Sequence, residues 1–252
     1  MSTQRLDRAL VRRGLARSRT LAADWIAAGR VSVDGRPAAK ASQPVHEDAV
    51  VEVAASEGPE YVSRAGHKLA GALEAFPDVA VAGLRCLDAG ASTGGFTDVL
   101  LRRGAREVVA VDVGHGQLVP QLREDPRVRV HEGLNLRHMA PEDIGGPAQL
   151  TVCDVSFISL TLVIGPLAEA TVPGGRLLLM VKPQFEVGAG RLGRDGVVTS
   201  EQLRLEAVEA VAAAASRVGL RELGRVRSPL PGQDGNHEFF LHLLRPAEPW
   251  RG

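Results

Sequence analysis

Leu87-Asp88-Ala89-Gly90-Ala91-Ser92-Thr93-Gly94-Gly95-Phe96 decides how most of this chain is read. The stretch follows an apolar run, Arg85–Ala89, that reads as a strand, and it opens a helix. Its three glycines let the backbone approach a ligand closely. A glycine-rich turn between strand and helix is where an open α/β sheet holds a nucleoside.

The sequence downstream keeps the same rhythm. Further strand candidates are Glu107–Val113, Val128–His131, Gln149–Asp154, Arg176–Val181, Glu222–Arg227 and Glu238–Leu244, with helical stretches between most of them and the clearest at 200–218. Such alternation implies an α/β fold, a doubly wound and mostly parallel seven-stranded sheet covered by helices on both faces.

The spacing at Gly90–Gly95 is neither the dinucleotide fingerprint nor a Walker loop, which requires Gly-Lys-Ser/Thr. S-adenosylmethionine therefore fits better than NAD or ATP. Asp112 ends the second strand, 22 residues after Gly90, where an acid can accept both ribose hydroxyls of an adenosine. The expected donor site is Asp88, Gly90, Ala91, Ser92, Thr93, Gly94, Gly95, Phe96 and Asp112, with Asn135 after the third strand. A loop Asn such as Asn135 is more often only a turn residue.

Asp154 closes the fourth strand in Thr-Val-Cys-Asp-Val-Ser-Phe, and Lys182 closes the fifth in Leu-Leu-Leu-Met-Val-Lys-Pro. These ends border the crevice beside the first strand. A neutral alcohol is a poor nucleophile, and a lysine of lowered pKa can take its proton. Taken alone, the two residues read rather as a structural ion pair. Glu238 opens the last strand, and Lys68 stands just before the helix expected over Leu69–Phe76. Either reads alone as an ordinary charge; with Asp154 and Lys182 they form Lys-Asp-Lys-Glu in chain order.

The N-terminal segment is of another kind. The whole chain carries 30 basic and 30 acidic side chains, a balance that by itself argues against nucleic acid. Residues 1–40, however, hold Arg5, Arg8, Arg12, Arg13, Arg17, Arg19, Arg30, Arg36 and Lys40 against Asp7, Asp24 and Asp34. Nine less three leaves +6, and an imbalance of this sort suggests a polyanionic partner. The eight arginines are the candidate RNA contacts. Two helices are expected here, one stopped by Gly14 and one capped by Ser18 and ended at Gly29, then a hairpin at Asp34-Gly35 and a strand over Val50–Val53. The domains expected are 1–58, a linker at 59–66, and 67–252.

With these residues in place, the chain resembles the TlyA family, often labelled haemolysin: a basic RNA-binding module of the ribosomal-protein S-four type, small and α+β, followed by an FtsJ-like ribose 2′-O-methyltransferase domain. The matching stretches are 9–19, Ser63–Leu69, Asp88–Thr97, Asp154–Leu160, Val181–Gly188 and Ser228–Gly232. The resemblance implies a tetrad of Lys68, Asp154, Lys182 and Glu238, S-adenosylmethionine as donor, and a cytidine ribose in ribosomal RNA or a ribosomal subunit as target. Longer relatives carry a tail beyond the last strand, so the resemblance leaves open which subunit is modified.

Other readings are bounded by composition. Hydrophobic residues make up 44% of the chain, enough for a packed core. Cys86 and Cys153 lie in apolar runs and read as buried thiols in a reducing cytosol. The polar, basic stretch Met1–Leu10 has no signal-peptide core, and no apolar run reaches membrane length, which argues against pore formation and stable membrane association. The histidines show no ligand spacing, so no metal is expected. The segment 186–199, with four glycines and Arg191 and Arg194, reads as a lid or as a plain loop; Phe157 reads as a base-stacking group or as core. A base N-methyltransferase is the rival chemistry, although Asp154-Val155-Ser156-Phe157 lacks that class's two prolines. A non-enzymatic RNA-binding or membrane-active protein is the other.

Overall fold

The computed structural model describes residues 3–16, 18–54, 60–193, 195–232 and 234–247. The chain divides into two compact units, 1–60 and 61–252.

The first unit contains β1 (Thr3–Arg5), α1 (Leu6–Arg12), α2 (Arg19–Ala27), β2 (Val31–Val33), β3 (Arg36–Pro37), β4 (Pro44–His46) and β5 (Val51–Val53). The punctuation expected from sequence is present. Ser18 Oγ accepts from Leu21 N–H at 3.1 Å, capping α2. Gly14 and Gly29 both take positive φ just past the helix ends. Asp34 and Gly35 both take positive φ, as a tight turn between β2 and β3 requires. Leu6, Ala9, Leu10, Ala22, Ile26, Val31 and Val45 form a small core. The pairing of β1 with β4 is not foreseen by the sequence pattern, and it makes Arg5 the last residue of a strand.

The second unit contains α3 (Arg64–Ala75), β6 (Arg85–Ala89), α4 (Gly95–Arg102), β7 (Glu107–Asp112), α5 (Pro120–Arg123), β8 (Val128–Glu132), β9 (Ala148–Cys153), α6 (Ile164–Glu169), β10 (Thr171–Val181), α7 (Pro183–Glu186), α8 (Glu201–Arg217), β11 (Arg221–Arg227) and β12 (Phe239–Leu244). The α/β fold class is as expected. Seven strands run in the order β11-β12-β10-β9-β6-β7-β8. Neighbours from β10 to β8 are parallel, and β12 is antiparallel to both β10 and β11.

Alternation along β10 shows why its sequence is continuously apolar. Leu177, Leu179 and Val181 join a core that includes Ile164 and Leu167 of α6 and Val208 and Val211 of α8. Leu178 and Met180 join the opposite core, with Leu69 and Leu73 of α3 and Val99 and Leu100 of α4. Successive strand residues face opposite sides, so a sheet covered on both faces must be apolar at every position. Each of these β10 side chains is fully buried, which at about 25 cal/mol per Å² stabilises the fold by roughly 2 kcal/mol per leucine.

One boundary moves. The helix expected from Leu69 begins at Arg64, and Tyr61 and Val62 are buried, so the C-terminal part of the expected linker 59–66 is folded. Gly66 explains the packing: a Cβ there would lie 2.5 Å from Tyr61 Cβ.

Candidate active site

The glycine-rich turn is shaped by close approaches that glycine alone permits. Gly90 has φ +88°, and a Cβ there would lie 2.5 Å from the Asp154 carbonyl oxygen. The backbone N–H groups of Gly90 and Ala91 donate to Val111 O, and Asp154 N–H donates to Ala89 O. The ends of β6, β7 and β9 are thereby locked together. Gly94, φ +99°, admits the Leu118 and Leu122 side chains against its Cα.

Asp112 stands at the end of β7 and receives Ser92 N–H on Oδ2 at 2.8 Å and Gly114 N–H on Oδ1 at 2.7 Å. Each oxygen keeps a further lone pair. Ala91, Ser92, Asp112, Gly114, Gln117 and Leu118 contribute to one pocket beside this carboxylate. Gln117 Oε1 accepts from Ser92 Oγ at 3.1 Å, bridging the two loops. Thr93 is exposed on the turn. Asp88 is wholly buried, with Oδ2 accepting from Thr97 Oγ1 at 2.6 Å and Oδ1 unpartnered. Burial pushes its carboxyl up to about 7, against the pull of the Thr97 hydroxyl.

Two further expected donor residues are placed as follows. Phe96 is core, its ring stacked on Phe240 at 6.1 Å, because the first turn of α4 points it into the sheet. Asn135 is exposed, and its Oδ1 accepts from Arg137 N–H, so it shapes its own turn.

Two ion pairs lie at the same end of the sheet. Lys182 Nζ is 2.6 Å from Asp154 Oδ1, both largely buried, and it donates to Ser156 Oγ at 2.9 Å. Lys68 Nζ is 2.5 Å from Glu238 Oε2, with both residues buried. Register explains the grouping. Cys153 pairs with both Ala89 and Leu179, so Asp154 emerges beside Gly90; Val181 pairs with Phe239, so Lys182 and Glu238 are the next residues on adjoining antiparallel strands. Gly232 leaves room for Glu238, since a Cβ there would lie 2.8 Å from Oε1.

The loops around these pairs carry the remaining detail. Phe157 is 91% exposed with φ +64°, and its ring centroid lies 5.2 Å from that of Phe185. The core reading of Phe157 is thus corrected: its backbone turns the ring outward. Asn236, in the loop before Glu238, donates to Gly196 O and accepts from Val198 N–H, tying that loop to the end of the glycine-rich segment after α7. Arg194 lies outside the described residues. Ser156, Gln117, Asn236 and Glu186 carry no signal in the sequence, because their partners are distant in the chain.

The N-terminal arginines divide into two groups. Arg5 and Arg19 both clamp Asp7, at 3.0 and 2.8 Å, and hold its carboxyl well below the usual range although burial opposes them. Arg13 donates to the carbonyls of His46, Glu47 and Ala49; Arg30 donates to Ala54 O and lies 5.0 Å over the Trp25 ring; Arg12 pairs with Glu47. Arg17 lies outside the described residues. Arg8 and Arg36 are exposed, with no side-chain partner among the described residues. Counting the whole unit 1–60 adds five acids, Glu47, Asp48, Glu52, Glu57 and Glu60, so nine basic less eight acidic side chains leave +1. Any attraction for a polyanion comes from how the charge is distributed over the unit.

Comparison with known proteins meets this geometry directly. The FtsJ-like methyltransferase family matches residues 61–245, and the S4 domain matches 4–51. The chain is 54% identical over 95% of its length to TlyA of Mycobacterium tuberculosis, named a 16S/23S rRNA (cytidine-2′-O)-methyltransferase, and spans 89% of it. The chain belongs to the TlyA family of FtsJ-like methyltransferases. Other members include YqxC of Bacillus subtilis, 40% identical over 99% of this chain and 88% of that one. A solved structure from Streptococcus thermophilus that bears the name hemolysin superposes with a TM-score of 0.78 at 39% identity, covering 99% of this chain and 90% of that chain. Among the described residues of this TlyA-family chain, no helix is long and apolar enough to cross a membrane, and no cluster of His, Cys, Asp and Glu has the arrangement of a metal site.

Proposed function

We propose that this chain transfers a methyl group from S-adenosylmethionine to the ribose 2′-hydroxyl of a cytidine in ribosomal RNA. The single observation that carries the chemistry is Lys182 Nζ at 2.6 Å from Asp154 Oδ1, beside the glycine turn at Gly90. The relative in Mycobacterium tuberculosis is named for this same transfer.

The donor site is Asp88, Gly90–Gly95 and Asp112. The orphaned, buried Asp88 Oδ1 fits a cationic group such as the donor's ammonium, and the spare lone pairs of Asp112 fit a pair of ribose hydroxyls. S-adenosylmethionine, when bound, supplies a methyl group already activated by the sulfonium, so positioning accounts for much of the remaining rate.

The acceptor side needs a base. Lys182 in its amine form takes the proton of the 2′-hydroxyl, and the ammonium so formed is the state that Asp154 and Ser156 hold at 2.6 and 2.9 Å. Lys68 and Glu238 complete the tetrad. Their burial as a matched pair keeps either charge from being left alone in the wall of the site. Phe157, turned outward, offers a face for a base to stack on. RNA is drawn first by the S4 domain, through Arg8, Arg36 and Lys40. Its substrate, ribosomal RNA, places the enzyme in the cytoplasm.

The decisive experiment incubates the protein with methyl-labelled donor and ribosomal RNA, then digests the product to nucleosides. Label on the ribose of cytidine is expected. Label on a base would replace this reading with N-methylation, and absent labelling together with absent donor binding would leave an RNA-binding protein only.

A further inference from the structure

We propose that Glu186 is a positioning residue: it ties the helical turn after Lys182 to the loop after Asp154 and so holds Ser156 and Phe157 in place for the acceptor nucleotide. The proposal rests on the ribose-methylation reading above.

Asp154 and Lys182 leave neighbouring parallel strands, and the two chains then diverge. The Lys182 contacts to Asp154 and Ser156 hold them at the start. A second tie closes the frame further on. Glu186, on α7, accepts from Ser159 Oγ at 2.5 Å with Oε2 and from Leu160 N–H at 2.8 Å with Oε1. The same carboxylate thus meets a free backbone donor where the short helical turn at 160–162 begins. Ser159 is itself fixed, since its Oγ is 2.6 Å from Thr161 Oγ1 and accepts from Thr161 N–H.

Between Asp154 and the second tie lie Val155, Ser156, Phe157 and Ile158. Phe157 sits in the left-handed region, φ +64°, which a bulky residue leaves unless its surroundings enforce it. Its ring contacts Phe185, the neighbour of Glu186, so the brace and the exposed aromatic pair belong to one unit. The donor turn and Asp112 make none of the Glu186 contacts, and Gly90 packs on Asp154 and Val155, at the far end of the segment from the brace, so loosening the brace should act mainly on the acceptor side.

The test uses the full-length chain as Glu186→Ala, Glu186→Gln and Ser159→Ala. Glutamine preserves the geometry, with Oε1 accepting from Leu160 N–H and Nε2 donating to Ser159 Oγ. For Glu186→Ala, backbone hydrogen exchange over 155–160 should rise about tenfold or more, the scale of a lost charge-assisted hydrogen bond. Its affinity for S-adenosylmethionine by calorimetry should stay within about twofold, and its single-turnover methylation rate should fall by about tenfold or more. Glu186→Gln should restore both exchange and rate. Unchanged exchange in Glu186→Ala, or a glutamine variant as defective as alanine, overturns the proposal. If Glu186→Ala does not fold, Ser159→Ala decides: raised exchange at 155–160 is expected, and wild-type exchange overturns the brace. A wild-type protein that labels bases would overturn the functional reading while leaving the exchange test intact.

Discussion

Lys68 Nζ meets Glu238 Oε2 at 2.5 Å across 170 residues of chain, and both side chains are buried. Removing one partner leaves the other as a lone charge in a low-dielectric wall, which typically costs about 3–5 kcal/mol. Lys68→Met should therefore destabilise the catalytic unit on that scale in urea unfolding. The double change Lys68→Met with Glu238→Gln should recover most of the loss. A single variant as stable as wild type would show that the pair is open to water.

Lys182→Ala should separate chemistry from binding. Loss of a positioned general base typically lowers rate by about 10²–10⁴-fold. Donor affinity should change little, because the glycine turn and Asp112 are untouched. Single-turnover methylation alongside calorimetry measures both quantities; turnover retained in this variant would remove Lys182 from the role of base.

Asp112→Ala should have the opposite signature. It removes the acceptor of Ser92 and Gly114 N–H and, on the present reading, of the ribose hydroxyls. Donor affinity should fall about 10- to 100-fold, the range for one or two charge-assisted hydrogen bonds. Wild-type affinity would place the adenosine elsewhere.

Asp88 gives the unit a pH signature whose sign is fixed by its burial. Its carboxyl is pushed up to about 7 in the fold, above the unfolded value of about 4. Between those values the folded state keeps a proton that the unfolded chain has released, so stability falls as pH rises through this window. Asp88→Asn removes that slope and still accepts from Thr97. Melting temperatures at pH 5 and pH 8 should show the variant gaining on wild type at the higher pH; equal differences at both would mean the carboxyl titrates normally.

In the N-terminal unit, RNA affinity and stability should respond to different arginines. Arg8→Ala and Arg36→Ala should each weaken RNA binding and reduce the slope of log affinity against log salt by roughly 0.7–0.9 for every phosphate no longer neutralised. Arg19→Ala should instead lower the stability of the unit, since it strips one of two cations from the buried Asp7. Filter binding across a salt series and thermal unfolding of the same proteins make the comparison. A salt slope that follows Arg19 rather than Arg8 and Arg36 would reverse the assignment.

What is legible in the sequence follows the reach of each interaction. The central strands β6, β7, β9, β10 and β12 can be read because they are largely apolar runs of strand length, β8 and β11 only by weaker alternation, and Gly90, Asp112, Asp154 and Lys182 because each sits at a strand end. Phe96 misleads because a residue beside a glycine turn looks like part of the ligand cradle, while the helix phase aims it at Phe240. Arg5, Arg13, Arg19 and Arg30 read in sequence as one basic surface. Their partners, Asp7 and the carbonyls of residues 46–54, become visible only once β1 pairs with β4 and β2 with β5. Ser156 and Glu186 escape a sequence reading for the same reason: a bond between two loops leaves no periodic mark.

The close approach of Gly90 to the Asp154 carbonyl has a consequence for inhibitor design. The turn expected to hold the nucleoside packs directly on the end of β9 that carries Asp154, the ion-pair partner of Lys182. A substitution at Gly90 that excluded a compound anchored at Asp112 would therefore also displace the backbone that carries Asp154.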